Sequence, residues 1–261
     1  MHTMRRFPVI FAAPLLFMAA GAAWFAIDAT AQQSAPVPAT SERPVELNEF
    51  EQRVRDFLLE HPEVIMEALQ ILQERQRAAE AEDLKRTIAE RSQEILNDPD
   101  APVGGNPRGD VTLVEFFDYN CPYCRRVAPT VVELEEADPD LRLVYKEFPI
   151  LGPGSQFAAR AALASRKQGK YVPFHKALMQ ATEQVTEESV MEIARAVGLD
   201  TEQLTADMQA PAIQEAIARN LRLANALGIT GTPSFVIGEE VVPGAADFST
   251  LQGMIADVRQ Q

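Results

Sequence analysis

The 261-residue sequence predicts an α/β fold that is split by a block of helices and preceded by a helical stalk. Three observations predict it. Val111 to Phe117, "VTLVEFF", and Leu141 to Phe148, "LRLVYKEF", are short β-rich runs on either side of a helical Cys121 to Ala137. A long region of helical periodicity follows. Then "TPSFVIG" and "EVVPG" read as a hairpin, and Asp247 to Arg259 as a closing helix. Strand–helix–strand, inserted helices, then strand–strand–helix is one α/β layer structure interrupted by an α domain.

The first segment, residues 1–31, reads as a signal peptide. Arg5 and Arg6 precede an apolar run from Phe7 to Ile27, and Ala29-Thr30-Ala31 supplies a small-x-small cleavage site. The run is long enough to approach a bilayer span, so a retained anchor facing the periplasm is the alternative. Cleavage removes Arg5, Arg6 and Asp28. It leaves 22 basic and 37 acidic residues, a formal charge of −15 in place of −14. That surface argues against nucleic acid or anionic lipid as the main partner. Export to the periplasm places the chain where disulfides persist.

Residues 32–44, "QQSAPVPATSERP", are polar and proline-rich and read as a flexible leader. Residues 45–97 read as a helical stalk, with a break or new helix start at His61-Pro62. Phe50, Val54, Phe57 and Leu58, then Ile65, Leu69, Leu72, Gln76, Ala79, Leu84, Ile88 and Ile95, form a thin apolar seam. Abundant Glu, Arg and Gln surround it, with Glu82 to Arg86 as an i,i+4 pair. The seam suits self-association in a coiled-coil manner. Helices folded back onto the main domain are the other reading. Residues 98–110, rich in Asn, Asp, Pro and Gly, read as a linker.

Both cysteines of the chain lie in "FFDYNCPYCRRV", two residues apart. Cys121 stands at or just before the start of its helix, and Pro122 occupies a first-turn position that tolerates a missing N–H. The free N–H groups of that turn stabilise an anion, here the Cys121 thiolate. Cys124 follows one turn on, on the same side. Arg125 and Arg126 add positive charge or are ordinary surface residues. A disulfide closing so short a loop removes little unfolded-chain entropy, which disfavours a structural clip. A closed zinc site wants four ligands, and after cleavage only His61 and His175 remain besides the thiols. A reactive dithiol, with no metal, is the preferred reading.

"VEFFDYNCPYC" and "GITGTPSFVIG" resemble the two signatures of the DsbA-like thioredoxin-fold oxidoreductases, and "KYVPFHKALM" in the insertion is also similar. The resemblance covers about residues 105–261. It implies a thioredoxin fold, in two parts at residues 111–151 and 228–261, with an inserted helical domain at residues 152–227. It implies thiol–disulfide exchange on exported proteins, a redox-active Cys121–Cys124 disulfide and no bound cofactor. Cys121 is similar to the attacking, more exposed thiolate and Cys124 to the buried resolving thiol, with Pro122 and Tyr123 between them. Pro233 matches the cis-proline facing the dithiol, with Thr232 before it offering its backbone to an extended peptide. From the residues alone, Thr-Pro admits either isomer and trans is commoner. Glu115 is an acid in an apolar strand and needs a partner or a proton; Lys146 on the next strand is the candidate partner. The resemblance implies that the two sit beneath the dithiol and move protons, while a structural ion pair is the other reading.

"FLLEHPEVIMEALQ" is similar to the N-terminal region of the ScsC-like branch, some of whose members are trimers that shuffle wrong disulfides. The expectation is therefore a homo-oligomer, with a trimer as the number the resemblance suggests, acting as a disulfide isomerase or reductase, because several dithiols around one cavity raise effective concentration. A monomeric DsbA-type dithiol oxidase and a metal-binding copper-tolerance protein are the alternatives. Expected partners are exported proteins with thiols or disulfides, and a membrane redox partner.

Overall fold

The computed structural model describes residues 47–260. The signal peptide and leader read at residues 1–44 lie outside them. Among the described residues no helix is long and apolar enough to cross a membrane.

The chain divides into two units, one ending at Glu60 and one starting at His61. In the first, helix α1 (Glu49–Glu60) begins with reciprocal capping: Asn48 Oδ1 accepts from the Glu51 N–H at 3.0 Å, and Glu51 Oε2 accepts from the Asn48 N–H at 2.9 Å. Phe50, Val54 and Phe57 are exposed on it.

The second unit opens with α2 (Glu63–Glu90) and α3 (Ser92–Leu96). The stalk seam separates here into two kinds of surface. Ile65, Leu69 and Leu72 are exposed, whereas Ile88 and Ile95 are buried and Leu84 is partly buried against the sheet. The reading of helices packed back on the domain is thus correct for the C-terminal end of the seam. Arg86 pairs with Asp83 at 2.7 Å, not with Glu82, so the i,i+4 pair read from the sequence is an i,i+3 pair.

The segment read as a linker contains an edge strand, β1 (Val103–Gly105). Three residues rich in glycine carry too little periodicity to announce a strand; pairing with a neighbour makes it one. Then come β2 (Val111–Phe117), α4 (Pro122–Ala137) and β3 (Leu141–Glu147). The insertion holds α5 (Pro153–Ser165), a short 3-10 turn, α6 (Tyr171–Met179), α7 (Glu187–Ala196), α8 (Thr201–Asp207) and α9 (Pro211–Ala226). The hairpin β4 (Ser234–Ile237) and β5 (Glu240–Pro243) and helix α10 (Phe248–Arg259) close the fold.

The strand order is β1-β3-β2-β4-β5, with β2 and β3 parallel and the other pairs antiparallel. Both faces of the sheet are covered, so its central strands are buried and mostly apolar, as a parallel pair requires, with Glu115 on β2 and Lys146 and Glu147 on β3 as buried charged exceptions. One face, with Leu113, Phe117, Leu143 and Tyr145, packs on α4, α10 and the inserted helices. The other, with Val114, Phe116 and Val144, packs on Ile88, Ile95 and the C-terminal end of α9. The architecture is a thioredoxin-like mixed five-stranded sheet with a helical insertion and an N-terminal helical region.

Candidate active site

The site forms where β2 runs into α4. Cys121 is the N-cap of α4, extended at φ −79° and ψ 117°, and Pro122 takes the first helical position. The Cys121 sulfur accepts the Cys124 N–H at 3.3 Å, so a free first-turn donor is aimed at it. The same Sγ–H donates to the backbone carbonyl of Thr232 at 3.2 Å. The Thr232-Pro233 peptide bond is cis.

Both cysteines are free thiols and both are buried, at 2 % exposure for Cys121 and 0 % for Cys124. Cys121 is the more exposed of the two by that narrow margin, and neither sulfur is open to solvent. The exposed member of the motif is Tyr123, at 53 %, and the Arg126 guanidinium lies 5.0 Å from its ring centre. A groove of about 680 Å³ runs beside them, lined by Tyr123, Arg126, Ile229, Thr232, Pro233 and Leu84 of α2. Burial pushes the Cys124 thiol far up, and the Glu115 carboxyl and Cys121 add to the effect.

Glu115 is buried on β2, and burial alone raises its pKa from an ordinary 4.5 to about 8. Lys146 does not meet it. In the parallel register Glu115 lies opposite Tyr145, and Lys146 lies opposite Phe116. Successive residues of a strand point to opposite faces, so Glu115 faces α4 and Lys146 faces α3. There Lys146 donates to the Glu94 carbonyl at 2.8 Å and pairs with Asp98 at 3.1 Å. Burial lowers its pKa, and the charge of Asp98 opposes that. The Glu115–Lys146 pair expected from the sequence is therefore replaced by a Lys146–Asp98 pair on the other side of the sheet.

Several residues that brace the site carry no motif signal. Asp118 accepts from the backbone N–H groups of Asn120, Ile150 and Leu151 at 2.7, 2.8 and 2.9 Å, and from the Ser155 hydroxyl at 2.7 Å. It ties the approach to Cys121 to the start of the insertion. Arg125, read only as nearby charge, donates to the Tyr119 carbonyl at 2.9 Å. Glu147, fully buried, accepts from the hydroxyls of Tyr119 at 3.0 Å and Tyr171 at 2.8 Å, and burial pushes its pKa up. His175, the weak metal candidate, packs against Phe117 and Tyr145, and its Nδ1 lies 3.1 Å from the Tyr119 hydroxyl. Burial lowers its pKa to about 3. Two polar aromatics at i,i+4 in "KYVPFHKALM", Tyr171 and His175, were the available signal of a buried network on that helix face. His61, just before α2, lies 3.2 Å from the Glu63 carboxylate.

Comparison with known proteins agrees with this geometry. A family model described as a DSBA-like thioredoxin domain matches residues 112–256. A second, described as the copper resistance protein ScsC N-terminal domain, matches residues 48–79. A thioredoxin-like oxidoreductase from Silicibacter pomeroyi DSS-3, solved by crystallography, is 57 % identical; the match covers 65 % of this chain and 98 % of that one, with a TM-score of 0.64. Proteus mirabilis ScsC, as a linker-deleted mutant, is 27 % identical over 83 % of this chain and 99 % of that one, with a TM-score of 0.65. The Na(+)/H(+) antiporter NhaA of Herminiimonas arsenicoxydans is 30 % identical over 171 residues, 64 % of this chain and 27 % of the antiporter. The chain thus spans about a quarter of the length of that curated relative. With the domain model matched over more than half of its length, the chain belongs to the DSBA-like thioredoxin domain family, and it carries an ScsC-type N-terminal domain ahead of that fold.

Proposed function

We propose that this protein is an exported thiol–disulfide oxidoreductase that acts on protein disulfides in the periplasm as an isomerase or reductase. The observation that carries the reading is the Cys121 sulfur, held by the Cys124 N–H and set against the Thr232 carbonyl beside an open groove. A sulfur in that place accepts a hydrogen bond as a thiolate and meets an extended substrate backbone at the same edge.

In the forward direction the Cys121 thiolate attacks one sulfur of a substrate disulfide. A Cys121–substrate bond forms, the substrate S–S bond breaks and the second substrate sulfur leaves as thiolate. Isomerisation follows when a substrate thiolate attacks that mixed disulfide and regenerates Cys121. Reduction follows when Cys124 attacks Cys121, closing the Cys121–Cys124 disulfide and releasing the substrate thiol. The second route must take a proton from a thiol that burial holds strongly protonated. Glu115, whose charge acts on Cys124 and whose pKa is raised to about 8, is the group suited to receive it. Pro122 and Tyr123 shape the exposed turn between the sulfurs. Lys146 supports the sheet from its far face rather than the proton path.

The exposed apolar residues of α1 and early α2 support a homo-oligomer, which favours isomerase over oxidase. They coincide with the residues of the ScsC-type match at 48–79. The test pairs two measurements. Sedimentation of the mature chain with and without residues 45–97 reads the oligomer, and refolding of a scrambled substrate with and without Cys121→Ser reads the activity. A monomer that oxidises dithiols but does not rescue scrambled substrate makes the protein a DsbA-type oxidase instead. A copper-tolerance role rests on the family description of residues 48–79, and stoichiometric copper retained through dialysis by the Cys121→Ser chain would favour it.

A further inference from the structure

Away from the substrate groove, a cavity of about 540 Å³ opens between α4 and α6. That volume lies within the roughly 300–1,000 Å³ of small-molecule sites. An apolar part of its wall comes from Ala128, Pro129, Val131, Val132, Tyr145 and Met179, with charged side chains around it. Glu115, only 4 % exposed, also lines it.

Among the described residues the Glu115 carboxyl has no hydrogen-bond or ion-pair partner, and desolvation is the whole cause of its raised pKa. A buried polar group without a partner is rare and costly. The cations near this cavity are engaged elsewhere. Arg125 donates to Tyr119 and Asn120, and Lys176 pairs with Glu135 at 2.8 Å. Glu133 and Glu136, also lining the cavity, enter no ion pair among the described residues. His175 is neutral there, because burial lowers its pKa to about 3.

We propose that this cavity is a binding site for a small organic cation with an apolar body, such as an aryl amidine or a primary amine, whose charged head pairs with Glu115 while its body lies against Val131, Val132 and Met179. An anion would meet an excess of carboxylates. A purely apolar guest would leave Glu115 unpaired, the situation the empty geometry already has. A cation supplies both donors and charge, and it lets the buried acid ionise in a compensated state.

The test is calorimetric titration of the full-length, reduced protein with benzamidine, its neutral isostere benzamide, and benzoate. Benzamidine is expected to bind saturably and on the order of tenfold or more tightly than benzamide, with no saturable heat from benzoate. Glu115→Gln, which keeps the shape and removes the charge, is expected to reduce benzamidine affinity at least about tenfold. Val132→Trp, filling the cavity from a half-buried wall position, is expected to abolish binding while leaving the amide spectrum of the fold in place. Absence of saturable benzamidine binding at millimolar concentration overturns the proposal. So does equal affinity for benzamide, or benzamidine binding that both variants leave unchanged. None of these readouts passes through disulfide exchange, so the result is independent of the function proposed above.

Discussion

The Cys121 sulfur lies 3.2 Å from the backbone carbonyl oxygen of Thr232, a residue 111 positions away in sequence. That contact joins the first turn of α4 to the loop before β4, and it places the reactive sulfur at a backbone edge rather than in open solvent. Cys121 and Cys124 are both buried, so under the function proposed above a substrate reaches Cys121 by taking over the Thr232 contact.

The two cysteines are expected to fail differently when replaced. Cys121→Ser removes the nucleophile and should lower disulfide exchange about a thousandfold or more. Cys124→Ser leaves attack possible and removes resolution, so mixed disulfides between Cys121 and substrate should accumulate. Non-reducing gels of trapped adducts read the second effect and a scrambled-substrate assay the first.

Lys146 should matter to stability and not to chemistry. Its ammonium is fully buried against Asp98 and the Glu94 carbonyl. Lys146→Met leaves Asp98 without its main partner, and breaking such a pair from one side costs roughly 3–5 kcal/mol. Urea denaturation should show that loss, while the pH profile of thiol reactivity keeps its wild-type shape. A displaced pH profile would return Lys146 to the proton path.

Glu115 gives the protein a pH-dependent stability of definite sign. Its folded pKa is about 8 against an ordinary 4.5, so the folded state holds the proton more tightly. Stability is therefore fully present below about pH 4.5, falls as pH rises between the two values, and stays low above about pH 8. At about 1.4 kcal/mol per pKa unit the loss is on the order of 5 kcal/mol. Glu115→Gln should be more stable than wild type by that order above pH 8, with the advantage vanishing near pH 4.5. Paired denaturant curves across this range cancel the titration of all other groups.

The apolar seam should separate into two phenotypes. Ile88 is buried against the sheet, and Ile88→Ala should cost about 2–4 kcal/mol in unfolding. Leu69 is exposed, and Leu69→Ala should leave unfolding within about 0.5 kcal/mol. If the seam carries the oligomer, Leu69→Asp should shift sedimentation toward the monomer without moving the melting curve of the isolated domain.

Asp118 and the Glu147–Tyr119–Tyr171 network show why part of the site was not readable in advance. Each joins segments 24 to 37 residues apart, and no local spacing announces such contacts. The strands behaved otherwise. β2 begins and ends at Val111 and Phe117, the limits of the apolar run, because β-branched and aromatic residues suit a sheet buried on both faces. The N-cap position of Cys121 was equally local, since Pro122 suits a first helical turn.

The sequence by itself determined the order of strands and helices from β2 onward, the placement of the dithiol at a helix start, and the family to which those signatures belong. Their causes act over one or two turns of chain: side-chain periodicity, proline's missing N–H and the spacing of two sulfurs. Tertiary structure decided that Glu115 and Lys146 occupy opposite faces, that both sulfurs are covered, and that the helical seam is half buried and half bare. Those outcomes depend on strand register and on which distant surfaces close over one another. A shift of one residue in the β2–β3 pairing would put Glu115 and Lys146 on the same face with no change in the sequence pattern.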